Sequence, residues 1–448
     1  MLINLTLSDI AHACNGELVG EDSTVHSIVT DTRKISPGCV FVALKGERFD
    51  GHDYVEHAMQ SGAVGVVSQQ VLDVTSYIKV ADTKLAYGAI ARRIREAFAG
   101  PVVCITGSNG KTTVKDWLAQ SIHDKNVLKT RANLNNQIGV PQTLLELTSL
   151  HDTAVIETGT SFSGEIPLLA NIAYPDVVIL TNASGSHFDG LGSLEGIAIE
   201  KGALISGAAP NATVILNSDD DFFEYWCGLA ANRAVYSFGF TESADLFATD
   251  LELGAESSNA VFHFRGASLS VHIAGPGQHT VANAMAVVLA LIALGYDFSH
   301  AVKEVATPVL VSGRLERLRS SSGALLINDC YNASPKSVEA AIDVLSMQSV
   351  EQTWLVLGAL GELGNFQQEI HHSLGLYAAA KNLSCLVCLG PIAGIAGKAF
   401  KEQGGRVVFC DTHDEAASIV SALDEKHAIL VKGSRSAKME NIIEALIN

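Results

Sequence analysis

Residues 104–113 read Cys104-Ile105-Thr106-Gly107-Ser108-Asn109-Gly110-Lys111-Thr112-Thr113, and this stretch decides how the middle of the chain is built. The apolar run Val102 to Ile105 predicts a buried strand, and Val114 to Ile122 predicts a helix. The glycine-bearing turn between them therefore lies at a helix N-terminus, where unpaired backbone N–H groups and the helix dipole favour a polyphosphate. Gly107, Ser108, Asn109, Gly110 and Thr113 would form the cradle, Lys111 would reach the outer phosphates, and the Thr112 hydroxyl would ligate Mg²⁺. The usual spacing has a further glycine where Ile105 stands. With strand, Gly-Lys-Thr and helix in register, a nucleotide site is a better account than an ordinary strand-to-helix turn.

Outward from that turn the middle third continues as strand-like runs at Ala154–Ile156, Val177–Leu180 and Thr213–Leu216. From about Gly323 the alternation is regular. Strands are expected at Ala324–Ile327, Thr353–Leu357, Leu383–Leu389, Arg406–Cys410 and Ala428–Val431, with helices such as Ser337–Leu345, His371–Ala380 and Met439–Ile447 between them. Such alternation implies right-handed crossovers and a mostly parallel, doubly wound sheet. Residues 1–98 form a smaller α/β unit. The expected organisation is three α/β domains: 1–98; a central phosphate-loop domain, 99–312, with a mostly parallel sheet; and a Rossmann-like doubly wound domain, 313–448. The second boundary falls in the Pro/Gly-punctuated passage Thr307 to Gly313, suited to a hinge.

Composition narrows the function classes. The chain has 448 residues, 48% of them hydrophobic and 17% charged, so a large core is expected and disorder is not. A net charge of −18 without a Lys/Arg block argues against nucleic-acid or anionic-membrane partners. Met1 to Asn15 carries no export-signal pattern, and the apolar run Ala284 to Leu294 is too short to span a bilayer. The eight cysteines are scattered. Cys385 and Cys388 look like half a zinc site, but three residues apart on a strand they face opposite sides, so buried thiols are expected. A reduced, cytoplasmic, monomeric protein is the expectation.

In open α/β sheets ligands bind beyond the carboxyl ends of the strands. Glu157 ends one strand, where it could hold a metal facing the phosphates or simply cap the strand. His187 follows the next strand in a loop, and alone would be a solvated histidine. Lys201, on the helix opened by Ser193, would alone be a surface lysine.

A family resemblance changes those readings. The loop Thr106 to Thr113 resembles the ATP loop of the Mur ligases. So do Asn133-Leu134-Asn135-Asn136-Gln137-Ile138-Gly139, Gly192-Ser193…Lys201-Gly202, Gly277-Gln278-His279…Asn283, Gly313-Arg314-Leu315-Glu316, Asp329-Cys330-Tyr331-Asn332-Ala333 and Lys432-Gly433-Ser434-Arg435, in order and over nearly the whole chain. The Asn-Asn-x-Ile-Gly and Asp-Cys-Tyr-Asn-Ala elements resemble the members that add D-alanyl-D-alanine to UDP-N-acetylmuramoyl-tripeptide.

The resemblance implies ATP-dependent amide formation, in which phosphorylation turns a poor acyl donor into an activated one. It implies Lys111 and Thr112 at the γ-phosphate and Mg²⁺, Glu157 and His187 as metal ligands, and Lys201 as a carbamate, a catalytic anion beside two Mg²⁺ ions. Asn283 matches an adenine contact and Arg314 an arginine reaching back to the phosphates. Asp329, Tyr331, Asn332, Lys432 and Arg435 match positions near the dipeptide or the phosphates, Asp329 and Asn332 being the catalytic candidates among them. Asn136 belongs to a substrate-binding element. Thr30-Asp31-Thr32-Arg33 and Asp50-Gly51-His52 resemble UDP-sugar-binding elements, although Asp and Gly also serve as turn residues. Gln278, Asn328, Ala359 and Thr158-Gly159-Thr160 depart from common family residues. The alternatives are a sister ligase adding one amino acid, a folylpolyglutamate synthase, or an inactive nucleotide-binding scaffold; Asp329-Cys330-Tyr331-Asn332-Ala333 argues against the first, the first-domain elements against the second, and the retained Lys111, Thr112, Glu157, His187 and Lys201 against the third.

Overall fold

The computed structural model describes residues 2–46, 49–309 and 311–447. The strand Val102–Thr106 is buried throughout and lies third from one edge of a nine-stranded sheet, with Thr153–Glu157 on one side and Val177–Leu180 on the other. All three run parallel. The register pairs Glu157 with Ile105 and Leu180 with Thr106, so the carboxyl ends of the three strands finish level. Whatever follows Thr106, Glu157 and Leu180 must therefore meet at one edge of the sheet, the place where open α/β sheets bind ligands.

Beyond Thr213–Asn217 and Ala234–Gly239 the sheet continues through Leu246–Leu253, Ser258–Phe264 and Ala267–Ile273, which pair antiparallel with one another. The sheet is mostly parallel, as expected; this antiparallel meander was not anticipated. Its sequence alternates buried and exposed positions, because one face packs on the long helix Gln278–Ala293 and the other meets solvent. That helix also packs on Lys111–Ser121, the helix that leaves the phosphate loop.

The C-terminal sheet has the expected parallel strands at Leu325–Asp329, Gln352–Leu357, Cys385–Leu389, Arg406–Cys410 and His427–Lys432. A short strand, Glu316–Arg319, adds antiparallel at its edge. Cys385 and Cys388 are buried in separate cores on opposite faces of this sheet, so they are thiols and not half of a metal site. Cys14 and Cys227 are partly exposed, against the expectation that the cysteines are buried. The N-terminal sheet orders its strands Glu17–Gly20, Ser76–Lys79, Gly65–Ser68, Cys39–Val42 and Ser27–Val29, antiparallel only at the first pair. Among the described residues no helix is long and apolar enough to cross a membrane.

The first and central domains share one continuous apolar core. Helix Thr83–Ala97 lays Ile90 and Ile94 against Ile166, Leu169 and Ile172. A Cβ on Gly88 would stand 2.6 Å from Ile172 Cδ1, so a larger residue there would have to displace the Ile172 side chain. Arg95 seals the junction by donating to the carbonyls of Ala173 and Tyr174 and to Asp176 Oδ2. The third domain is docked on the central one by a different kind of contact, which forms part of the site.

Candidate active site

The phosphate loop is held open by its own glycines. Gly107 and Gly110 have φ of 150° and 84°, and a Cβ on either would stand 1.9 Å from Thr181 Oγ1 or 2.6 Å from Asn283 Oδ1. The loop after the neighbouring strand ties it down. Asn182 accepts from the Ser108 and Asn109 amides, Thr181 Oγ1 donates to the Asn109 carbonyl, and Ser184 N–H donates to Ser108 Oγ. The first-turn amides of helix Lys111–Ser121 have no helical partners and are left for an anion. Lys111 Nζ donates back to the Gly107 and Ser108 carbonyls at 2.6 and 3.3 Å. Burial lowers its pKa, Glu157 opposes that shift, and Arg314 adds to it.

Glu157 is 3% exposed at the end of its strand. Its Oε1 accepts from Asn135 Nδ2 at 2.9 Å, and its buried Oε2 accepts no hydrogen bond. The nearest cation to that oxygen is Lys115 Nζ at 3.9 Å, itself donating to the Thr130 carbonyl at 2.9 Å. A buried carboxylate oxygen without a donor costs about 1–3 kcal/mol unless a cation completes it. Together with the Thr112 hydroxyl and the loop's unpaired amides, it fits a hard divalent cation carried by a polyphosphate. This favours the metal role for Glu157 over a mere strand cap.

Lys201 is not a surface residue. It is 1% exposed on helix Leu194–Ser206, and among the described residues its amine makes no hydrogen bond or ion pair. Burial, reinforced by the neighbouring charge of Lys111 and only opposed by Glu200, pushes its pKa well below the ordinary lysine value. Glu200 is committed elsewhere, accepting from the Gly164 and Ile166 amides. The helix begins at Ser193, whose hydroxyl accepts from Gly196 N–H, as its sequence predicted.

His187 sits in the left-handed region at φ 60°, and its Nδ1 contacts Glu362 Oε2 of the third domain. That contact holds the Glu362 carboxyl below its usual range. Among the described residues no group of three or more His, Cys, Asp or Glu side chains is placed to hold a metal ion, so Glu157 and His187 are not drawn into one protein-only cage.

The third domain supplies further contacts. Arg314 Nη2 donates to Thr112 Oγ1 at 3.0 Å, its guanidinium lies 4.5 Å from the Tyr331 ring centroid, and its Nε is buried without a partner. Ser334 Oγ donates to Asn109 Oδ1 at 2.6 Å. Asp329 and Lys432 form a buried ion pair, with Lys432 Nζ also donating to the Asn332 carbonyl at 3.0 Å. The segment expected to act as a hinge is tied to this domain: Ser312 Oγ and Gly313 N–H donate to Glu316, and Gly313 O accepts from Tyr331 N–H. Leu310 lies outside the described residues. Arg435 points to Glu440 at 2.9 Å, with two-thirds of its side chain exposed.

In the remaining elements the turn chemistry is explicit. Asn136 Oδ1 accepts from the Ile138 and Gly139 amides and shapes the turn, while its neighbour Asn135 is the one that reaches Glu157. Asp31, next to Thr30, accepts from the amide and guanidinium of Arg33 at the 3₁₀ turn Thr32–Lys34. Asp50 Oδ1 accepts from His52 N–H and contacts His52 Nδ1 at 2.5 Å, and Gly51 packs where a Cβ would strike Leu44. Among the described residues, no hydrogen bond or ion pair links 30–33 or 50–52 to the phosphate loop. Asn135, Lys115, Ser334 and Glu362 were not picked out from sequence; only the adjacency of Asn135 to Asn136 and of Glu362 to the glycines at 361 and 364 hinted at them.

Residues 24–96, 105–291 and 313–435 match, in turn, the descriptions "Mur ligase family, catalytic domain", "Mur ligase middle domain" and "Mur ligase, glutamate ligase domain". The UDP-N-acetylmuramoyl-tripeptide–D-alanyl-D-alanine ligase of Escherichia coli K12 is 35% identical, over 99% of both chains. The enzyme of that name from Bacillus subtilis is 33% identical over 100% of this chain and 99% of its own. Among solved structures, MurF from Acinetobacter baumannii superimposes with a TM-score of 0.92 at 32% identity, covering 100% of this chain and 99% of that one. MurF ligase from Thermotoga maritima in complex with ADP gives 0.83 at 26% identity, covering 94% and 97%. Three consecutive domain matches and full-length relatives above 30% identity place this chain in the Mur ligase family.

Proposed function

We propose that this protein uses ATP to join D-alanyl-D-alanine to UDP-N-acetylmuramoyl-tripeptide, forming ADP and phosphate, as a step of cytoplasmic peptidoglycan precursor synthesis. The observation that carries the reading is the convergence on one phosphate loop of a donorless buried Glu157 oxygen, a buried Lys201 beside the charge of Lys111, and an arginine from another domain. A scaffold has no use for such an arrangement. The full-length relatives named for this reaction support the choice of substrates.

In this reading the loop amides and Lys111 bind the β- and γ-phosphates, and Arg314 adds a third-domain cation that is present only while the domains are docked. Thr112 and Glu157 would hold Mg²⁺ at the phosphates, with His187 beside a second ion; the metal supplies charge neutralisation during phosphoryl transfer. Lys201 is poised to take up CO₂ because burial and the neighbouring Lys111 disfavour its protonated form: the neutral amine's nitrogen bonds to carbon, loses a proton and becomes a carbamate anion. That anion would face the charge of Lys111 nearby.

The described residues offer no activated Ser or Cys nucleophile, so the substrate's carboxylate attacks the γ-phosphorus. The dipeptide amine then displaces phosphate from the acyl phosphate. Asp329, Asn332 and Lys432 stand at the third-domain strand ends where that amine would arrive, and Asn283 lies beside Gly110 on the nucleotide side. The first-domain elements 30–33 and 50–52 would hold the uridine sugar.

Purified protein should release phosphate from ATP only when both a UDP-muramoyl tripeptide and D-alanyl-D-alanine are present. Equal turnover with a single amino acid, or ATP hydrolysis indifferent to both substrates, would defeat the assignment.

A further inference from the structure

The contact between His187 and Glu362 joins two domains at a single pair of side chains. His187 lies in the loop after Val177–Leu180, and Glu362 lies in the turn after the third-domain strand Gln352–Leu357. Both hold left-handed backbone, at φ 60° and 59°, a conformation that non-glycine residues rarely adopt without a compensating contact.

The surroundings fix the pair in place. Asp189 N–H donates to the Glu362 carbonyl at 3.3 Å, and the Phe188 and Phe366 rings pack with centroids 4.7 Å apart. Gly364, at φ 53°, brings its turn so near that a Cβ would stand 3.1 Å from Asp189 Oδ1. Leu360, on the same turn, has its amide tied to His371 Nε2 at 3.1 Å.

An ionised carboxylate can only accept, so Nδ1 donates in this contact and Nε2 is the nitrogen facing away from it, the one available to a metal. A histidine that ligates metal through one nitrogen ordinarily donates its other N–H to such a partner. Here the partner arrives from a different domain.

We propose that Glu362 is the positioning residue for His187: it selects the Nε2-coordinating tautomer and orients the ring, so that the second divalent-cation site is completed only when the third domain docks. This rests on the assignment of His187 as a metal ligand made above. Glu362 thereby couples domain closure to metal binding without touching metal or substrate itself.

The test uses the full-length protein with Mn²⁺ and a non-hydrolysable ATP analogue. Electron paramagnetic resonance counts bound Mn²⁺, and pulsed measurements detect imidazole nitrogen coupled to it. Glu362→Ala should raise the Mn²⁺ concentration that half-fills the second site about tenfold and weaken the nitrogen coupling. Glu362→Asp should recover part of both. Arg317→Ala removes a different contact of the same interface, to Glu256 and the Ala255 carbonyl, and should leave both signals unchanged.

Equal weakening by Arg317→Ala would show that docking in general matters, and would overturn the specific role of Glu362. An unchanged second site in Glu362→Ala, while His187→Ala weakens it, would also overturn the proposal and leave the ligand assignment standing. An unchanged site in His187→Ala would instead remove the ligand assignment itself, and the proposal with it.

Discussion

The two domain junctions are built from different materials. Between the first and central domains, apolar side chains of Thr83–Ala97, Gly139–Leu144 and Glu165–Ala173 merge into one core, and Arg95 closes it with carbonyl and carboxylate bonds. Between the central and third domains the described contacts include single polar pairs at the phosphate loop and metal loop, the pairing of Arg317 with Glu256 and the Ala255 carbonyl, and a small apolar patch around Phe188, Ile197 and Leu363. A continuous core separates only by unfolding. A set of polar pairs can exchange for water at modest cost, so the second junction is the one expected to open when substrates enter. Helix Leu194–Ser206 serves both: Ile197 faces the third domain, while Leu204 and Ile205 lie in the shared core, and Lys201 is between them.

That contrast can be broken experimentally. The largest effect belongs to Arg95→Ala, which strands Asp176 and two carbonyls at the permanent junction. It should cost about 3 kcal/mol in a denaturant titration. A loss below about 0.5 kcal/mol would mean the first junction is not structural in the sense argued.

Arg314→Ala acts at the opening junction and should do the reverse. Its kcat/KM should fall by about 2 kcal/mol equivalent, as for a lost hydrogen bond to a charged group, with the melting temperature nearly unchanged. Solution scattering of the wild type should show a smaller radius of gyration with saturating nucleotide analogue and substrate than without. A variant that melts early, or a radius indifferent to ligands, would contradict an openable junction.

Lys201 sharpens the comparison through pH. Folding disfavours its protonated form, so the unfolded chain binds more protons between the depressed native value and the ordinary lysine value, and stability rises with pH across that window. Bicarbonate should flatten this dependence and raise the melting temperature by roughly 2 °C, an effect absent in Lys201→Met. An equal rise in both proteins would exclude carbamate formation at this residue. The smallest effect is that of Arg317→Ala. Its partner Glu256 is mostly exposed, so stability should change by no more than about 0.5 kcal/mol, and less in high salt.

Much of this architecture was legible because the parallel strands are short apolar runs with helices between them. Val177–Leu180 and Leu325–Asp329 need no context to be recognised. The meander Leu246–Ile273 and the edge strand Glu316–Arg319 were missed because a sheet with one wet face carries only alternating hydrophobicity, which Glu316-Arg317-Leu318-Arg319 shows faintly. At the site, the phosphate loop was readable because its chemistry is local.

Lys201 was not readable from its neighbours, since burial is a property of the fold. Asn135 and Asn136 look alike in sequence; the turn turns one toward Glu157 and uses the other to cap amides. Glu362 lies 175 residues from His187, and nothing short of the docked domains puts them in contact.

The most direct test follows the substrate's own oxygen. The tripeptide carboxylate, labelled with heavy oxygen, is supplied with ATP, Mg²⁺ and D-alanyl-D-alanine, and the released phosphate is weighed by mass spectrometry. The account predicts one labelled oxygen in each phosphate and ADP as the other product, because the carboxylate attacks the γ-phosphorus and the amine displaces the resulting phosphate. Unlabelled phosphate, or AMP with pyrophosphate, would contradict it.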